Sequence, residues 1–312
     1  MTHFRPFALA LTACLLASLP ALADEAKPKP SLTPKEILAA SKPAEWRTPD
    51  PDNLLVMTLA NGHRVLIELA PDFSPLHAAN IRTLAHEHYF DGLAVIRVQD
   101  NFVTQWGDPN DDNADRSKMK SLGTAKKTLP PEFTRPLDPK LAFTRLPDGD
   151  VYAPQVGFSE GFPVARDPAN HEEWITHCYG TVGVARDVPP TSGNGNSLYA
   201  IIGQAPRGLD RNLAVAGRVI EGMEYLSGLP RGTGPLGFHE KPQQRTAIVS
   251  VALAEDLPAA QRPAVEVLRT DSPSFAALIE AKRNRVDAFY TRPAGKIDLC
   301  SISVPTRAKA GK

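Results

Sequence analysis

The sequence lacks a surplus of charge of either sign. Its 35 Lys and Arg residues balance 35 Asp and Glu, so no basic excess points to nucleic acid or to an anionic membrane surface. Beyond the first residues no apolar run reaches the roughly 20 residues that a spanning helix needs, so no integral membrane segment is expected once the leader is gone. No internal repeat is present. No histidine pair has the i, i+4 spacing of a helical zinc motif: His86-Glu87-His88 is too close and reads as a solvated helix end. His171, His177 and Cys178 form a loose group rather than a defined ligand set. Cysteine is scarce, with 3 residues. Cys14 falls in the leader, so Cys178 and Cys300 are the two that an oxidising compartment would permit to pair. Nothing in the sequence brings them together.

Against these absences stand 312 residues, 42% hydrophobic and 22% charged, enough for a sizeable soluble core. That length suits one large domain with extensions or two small domains. His3 and Arg5 open the chain, an apolar run extends from Phe7 to Leu22, and Ala21-Leu22-Ala23 precedes Asp24. This is the pattern of a secretory signal peptide (residues 1–23) cleaved after Ala23, which predicts a periplasmic or secreted protein. Leu11-Thr12-Ala13-Cys14 resembles a lipoprotein signal, but the apolar run continues well past Cys14.

Proline is abundant, at 30 residues, and clusters between the periodic segments. Residues 24–52 read as a flexible N-terminal extension, with one short helix over Pro34–Ala40. Leu54–Leu59 and Arg64–Leu69 are apolar runs joined across Asn61-Gly62, a strong hairpin signal. Ser74-Pro75 predicts a capped helix start, with Ala78, Ile81, Leu84 and Ala85 at helical spacing. Further strands are expected at Leu93–Val98, Asn101–Gln105, Thr181–Ala185, Leu198–Ile202, Ala214–Val219 and Ala247–Leu253, with a helical stretch at Gly222–Leu229. Between them, residues 110–179 read as a long structured insertion, irregular in outline, with few candidate strands, around Leu141–Arg145 and Val151–Ala153. The C-terminal extension, 257–312, holds an amphipathic helix begun by Ser272-Pro273, with Phe275, Leu278, Ile279, Val286 and Phe289 on its apolar side. The fold class is mainly β: a closed eight-stranded antiparallel barrel capped by two helices, over residues 53–256.

The segment from Tyr89 to Pro109 carries the chemistry. Arg97 is a permanent charge inside an apolar strand, costly to bury unless paired or used. Phe102 and Gln105 follow on the neighbouring strand. An aromatic floor, an amide and a guanidinium suit an apolar ring attached to a carbonyl, though a structural ion pair over a core aromatic fits the same residues. Ser192-Gly-Asn-Gly-Asn-Ser197 is glycine-rich, but it precedes a strand instead of opening a helix, so it reads as a loop between barrel strands rather than a phosphate cradle.

Tyr89, Asp91-Gly92, Arg97-Val98, Phe102, Gln105 and Gly107-Asp108-Pro109 resemble the cyclophilin signature. The likeness continues upstream through Glu68 and the Pro75, Asn80-Ile81, Leu84 helix. Downstream it runs through Gly180–Arg186, Ser197–Ile201, Leu209-Asp210, Gly217-Arg218-Val219 and Gly222-Met223, holding its order over residues 54–254. The resemblance implies a peptidyl-prolyl cis-trans isomerase acting on proline-containing polypeptides and needing no metal, cofactor or covalent intermediate. It implies that Arg97 is catalytic, that Phe102 and Gln105 line the proline pocket and hold the substrate carbonyl, that Ala185 offers backbone hydrogen bonds, and that Tyr199 and Leu209 wall the pocket. Val103, Arg186 and Leu213 occupy pocket positions where the family carries Met, Asn and His, Gly208 replaces a Trp or His, and Val95-Ile96 replaces Phe-His. These departures imply a remodelled, shallower pocket. Two other roles stay open: a module that grips proline segments with weak or no turnover, and an assembly role in which the C-terminal helix docks a partner. Clients and oligomeric state are not readable.

Overall fold

The computed structural model describes Met1 and residues 32–111, 116–187 and 192–309; the leader, with Cys14 and the expected cleavage site, lies outside the described residues. Helix α1 (Pro34–Ala40) starts at Thr33, whose hydroxyl accepts from the Glu36 N–H while the Glu36 carboxylate accepts from the Thr33 N–H. Strand β1 (Trp46–Arg47) leads to the expected hairpin, β2 (Leu54–Leu59) and β3 (Arg64–Leu69). Then come α2 (Pro75–His86), β4 (Ala94–Val98) and β5 (Val103–Gly107). The insertion holds β6 (Arg135–Pro136), β7 (Thr144–Arg145), β8 (Gln155–Ser159), β9 (Phe162–Asp167) and β10 (Glu172–Ile175). The chain returns through β11 (Thr181–Val184), β12 (Leu198–Ile201), β13 (Val215–Glu221), α3 (Met223–Ser227) and β14 (Thr246–Leu253). It ends in β15 (Val265–Leu268), α4 (Pro273–Arg283) and β16 (Thr306–Ala308).

Eight antiparallel strands close a barrel in the order β11-β12-β5-β4-β14-β2-β3-β13. Period-two alternation sends Leu198 and Ala200 of β12 and Trp106 of β5 into the barrel core, beside Ile67, Val182 and Val251. Helix α2 covers one side with Ala78, Ile81, Leu84 and Ala85, the residues its spacing predicts. Its start differs from expectation. The Ser74 hydroxyl donates to the Val215 carbonyl, 2.8 Å away, instead of capping. Glu132 of the insertion takes that place, accepting from the Leu76 and His77 N–H groups at 2.9 Å each. No helix among the described residues is long and apolar enough to cross a membrane.

The insertion is not irregular: its five strands form one sheet, ordered β6-β10-β9-β8-β7. Residues 151–153 lie outside any strand, and only Thr144–Arg145 of the 141–145 stretch is extended in the sheet. The β8–β9 hairpin turns on Glu160 (φ +50°) and Gly161 (φ +89°), a two-residue turn with both φ positive. Glu at the first position disguised that turn. Pro163 inside β9 disguised the strand.

Residues 32–52, expected to be flexible, are tied down. Strand β1 joins β15 and β16 in a three-stranded sheet, and the Arg47 guanidinium bonds Glu68 of the barrel and the Glu160 carbonyl of the insertion. Ile37 of α1, Trp46 of β1, Phe158 and Trp174 of the insertion, and Phe275, Leu278 and Ile279 of α4 share one core. Phe158 and Phe275 meet edge to face, centroids 5.0 Å apart. The apolar face of α4 is therefore buried against the insertion and the N-terminal segment. The helix ends at Arg283, so Val286 lies beyond it, and Phe289 is 82% exposed. A disulfide joins Cys178 to Cys300, Cα atoms 4.9 Å apart, inside this second core.

Candidate active site

All nine residues singled out from the sequence, Arg97, Phe102, Val103, Gln105, Ala185, Arg186, Tyr199, Leu209 and Leu213, line a single cavity of about 940 Å³. Its floor is the outward face of β5 and β12, where alternation places Val103, Tyr199 and Ile201 in a small apolar cluster apart from the barrel core, with Phe102, Ala185 and Leu213 packed on it. Tyr199 pairs with Gln105 across these strands.

Arg97 reaches the cavity through a register shift. Strands β4 and β5 slip between Val95 and Arg97, so Val95 and Val98 both point into the barrel core while Ile96 and Arg97 both line the cavity. An extra residue in one strand re-aims side chains in this way. The guanidinium lies between two rings, 5.4 Å from the Phe102 centroid and 5.3 Å from that of Phe238. Its Nε donates to the Leu236 carbonyl at 2.7 Å, Nη1 donates to Gln105 Oε1 at 3.2 Å, and Nη2 donates to Gln99 Oε1. Gln105 is fixed in turn, its Nε2 donating to the Ser197 hydroxyl at 3.1 Å. These bonds orient the guanidinium at the cavity wall.

The opposite wall depends on the insertion. Asn80 of α2 accepts from the Lys126 N–H at 2.8 Å and donates to the Asn194 carbonyl at 2.7 Å. This clamp brings Lys127–Leu129 and the Ser192–Asn194 loop to the cavity, and Met119–Leu122 line it as well. A segment absent from the motif pattern thus supplies part of the pocket wall. Arg186 donates to the Asn212 carbonyl through Nε at 3.1 Å and Nη2 at 3.0 Å. The Ala185 N–H is already spent on the Ser197 carbonyl at 3.0 Å, so it is not a donor for a ligand.

The sequence reading passed over Gln99, Leu236 and Phe238, which hold Arg97. Leu236 sits in the left-handed region at φ +55°, where a non-glycine residue is strained. These two residues lie in a glycine- and proline-rich stretch 139 residues from Arg97, and no periodicity marks them. Of the weak metal candidates, Cys178 is consumed by the disulfide and His177 is buried against Asp210 and Tyr199. His86 and His88 lie at the exposed helix end, beside Asp256 and Asp91. Among the described residues no three His, Cys, Asp or Glu side chains are grouped to hold a metal.

The family model described as cyclophilin type peptidyl-prolyl cis-trans isomerase/CLD matches residues 54–253. The chain is 27% identical over 188 residues to a probable peptidyl-prolyl cis-trans isomerase of Brucella suis, covering 59% of this chain and 74% of that protein. It is 40% identical over 52 residues to peptidyl-prolyl cis-trans isomerase B of Bacillus subtilis, 17% of this chain and 36% of that one. The crystal structure of cyclophilin AquaCyp293 from Hirschia baltica superposes with a TM-score of 0.69 at 29% identity, covering 90% of this chain and 99% of that one.

Proposed function

The chain belongs to the cyclophilin-type peptidyl-prolyl cis-trans isomerases, and from that premise we propose that it turns X–Pro bonds in exported polypeptides, with Arg97 as the catalytic group. The reading is carried by the convergence of Arg97, Phe102, Gln105 and Tyr199, drawn from three strands and the turn beside them, on one cavity.

Resonance gives the X–Pro amide a rotation barrier of about 18–20 kcal/mol. An enzyme lowers it by favouring the twisted state over both planar forms. In the twisted state the prolyl nitrogen regains a lone pair, and a guanidinium held in place donates a hydrogen bond to it. The Phe102, Val103, Leu213 and Tyr199 side chains receive the ring while Gln105 holds the carbonyl. Burial, reinforced by the Asp210 carboxylate behind it, pushes the Tyr199 phenol far above its ordinary value, so it presents a neutral wall. No proton changes hands. Arg97 is then a donor prearranged for the twisted state. Arg97→Ala is expected to lower kcat/KM on a proline peptide by about 100-fold, the scale seen when one such donor is removed, with the melting temperature little changed. Equal rates in the two proteins would leave a module that binds proline segments without turning them over.

Two observations support export: the leader pattern ahead of Asp24 and the Cys178–Cys300 disulfide, a bond that persists in oxidising compartments. Cell fractionation with N-terminal sequencing should find a mature chain beginning at Asp24 outside the cytoplasm. A full-length cytoplasmic chain with free thiols would overturn this part.

A further inference from the structure

The Tyr199 ring is boxed from behind. Its partner across the strand pair is Gly183, and a Cβ there would come within 2.3 Å of both the ring Cζ and the hydroxyl, so the ring lies directly over that glycine. A phenol hydroxyl buried in this position needs a partner. His177 Nε2 supplies it at 3.0 Å. The His177 side chain is fully buried, and its ring lies nearly parallel to that of Tyr199, 12° apart. Asp210 Oδ1 accepts from the His177 backbone N–H at 2.9 Å and lies 3.0 Å from Nδ1. A carboxylate at Nδ1 places the ring hydrogen there, so Nε2 accepts from the Tyr199 hydroxyl. Behind Asp210 stands Arg207, bonded to it through Nε and to Asp150 of the insertion at 2.9 and 3.1 Å. The residue after His177 is the disulfide-bonded Cys178.

We propose that His177, delivered by the end of the insertion, is a positioning residue that holds the Tyr199 ring in place as a wall of the proline pocket. This rests on the reading of Tyr199 as such a wall. It also gives the insertion a task in the reaction: the line Asp150, Arg207, Asp210, His177, Tyr199 runs from its fold into the cavity. Without an acceptor at position 177 the phenol must swing toward the open cavity to reach water, and it then occupies space meant for the ring.

The test uses the full mature chain and a proline-containing peptide. His177→Leu should raise KM about tenfold, the scale of one buried hydroxyl left unsatisfied, while kcat holds because Arg97 is untouched. His177→Leu with Tyr199→Phe should regain most of that loss. Both proteins leave Asp210 without its imidazole, so the difference between them reads the tyrosine hydroxyl alone. If His177→Leu does not fold, His177→Ala with and without Tyr199→Phe makes the same comparison. A drop in melting temperature with KM unchanged, or a double variant no better than the single one, overturns the proposal. Arg97→Ala run alongside separates the two readings. An unaffected Arg97→Ala means that the site itself is misread, whereas a slow Arg97→Ala with an unmoved KM in His177→Leu sinks only the positioning role.

Discussion

The barrel and the layer wrapped around it are held together by different means. Barrel strands run four to eight residues and alternate apolar side chains into a single continuous core. The outer layer is assembled from three distant stretches, with strands as short as two residues. It compensates with a disulfide spanning 122 residues and with buried or half-buried ion pairs: Arg135 and Arg166 on Glu173, Arg207 on Asp150, and Arg283 on Asp148. A repeating apolar pattern builds a wall cheaply, whereas a layer of fragments needs specific cross-links. The two regions meet at Glu68, gripped by Arg47 from the N-terminal segment and by Arg218 from β13.

Acid should break this contrast most severely, because it strikes both regions at once. Burial alone would push the Glu68 carboxyl up, but Arg218 and Arg47 outweigh it and hold the value below the ordinary one. Burial is likewise outweighed at Asp210 by His177 and Arg207, and at Glu132 by His77 and the helix N–H groups. Depressed carboxyls contribute stability that is present above the ordinary value of about 4 and lost as pH falls through the lowered values. The melting temperature should therefore hold from pH 7 to about 5 and then fall steeply toward pH 3; a flat profile to pH 3 would contradict the network.

The disulfide should sharpen the contrast. Cys300→Ser is expected to cost about 2–4 kcal/mol, and the loss should appear first in the outer layer. Hydrogen exchange should quicken in α4 and the insertion sheet while the barrel strands stay protected. Uniform loss of protection would mean that barrel and layer unfold as one unit. Smallest is the effect of Glu132→Ala, which removes the borrowed cap of α2 and should cost about 1 kcal/mol in denaturant unfolding. No change there would mean that the packing of Ile81 and Leu84 carries the helix start unaided.

Much of the barrel was legible because its information is local. The Asn61-Gly62 turn, the apolar runs of β2 and β3 on either side of it and the helical spacing from Ala78 to Ala85 are written in neighbouring residues. The site residues were legible for another reason: a likeness of motifs placed Arg97, Phe102, Gln105 and Tyr199 in order along the chain. The outer layer was not. Glu160 in a left-handed turn and Pro163 inside a strand both go against local preference and survive only because the surrounding packing overrides it. Val286 and Phe289 continued the helical period of α4, yet the helix stops at Arg283, where the guanidinium turns to Asp148.

By itself, then, the sequence determined the closed β barrel and the place of Arg97 on the third of its strands along the chain, since each depends on periodicity or on motifs a few residues long. Only the tertiary structure decided that Cys178 meets Cys300, that Leu236 and Phe238 hold the arginine, and that the insertion lines part of the cavity and reaches Tyr199 through His177. Those contacts join residues far apart in the chain, and their existence depends on how the barrel brings its loops together.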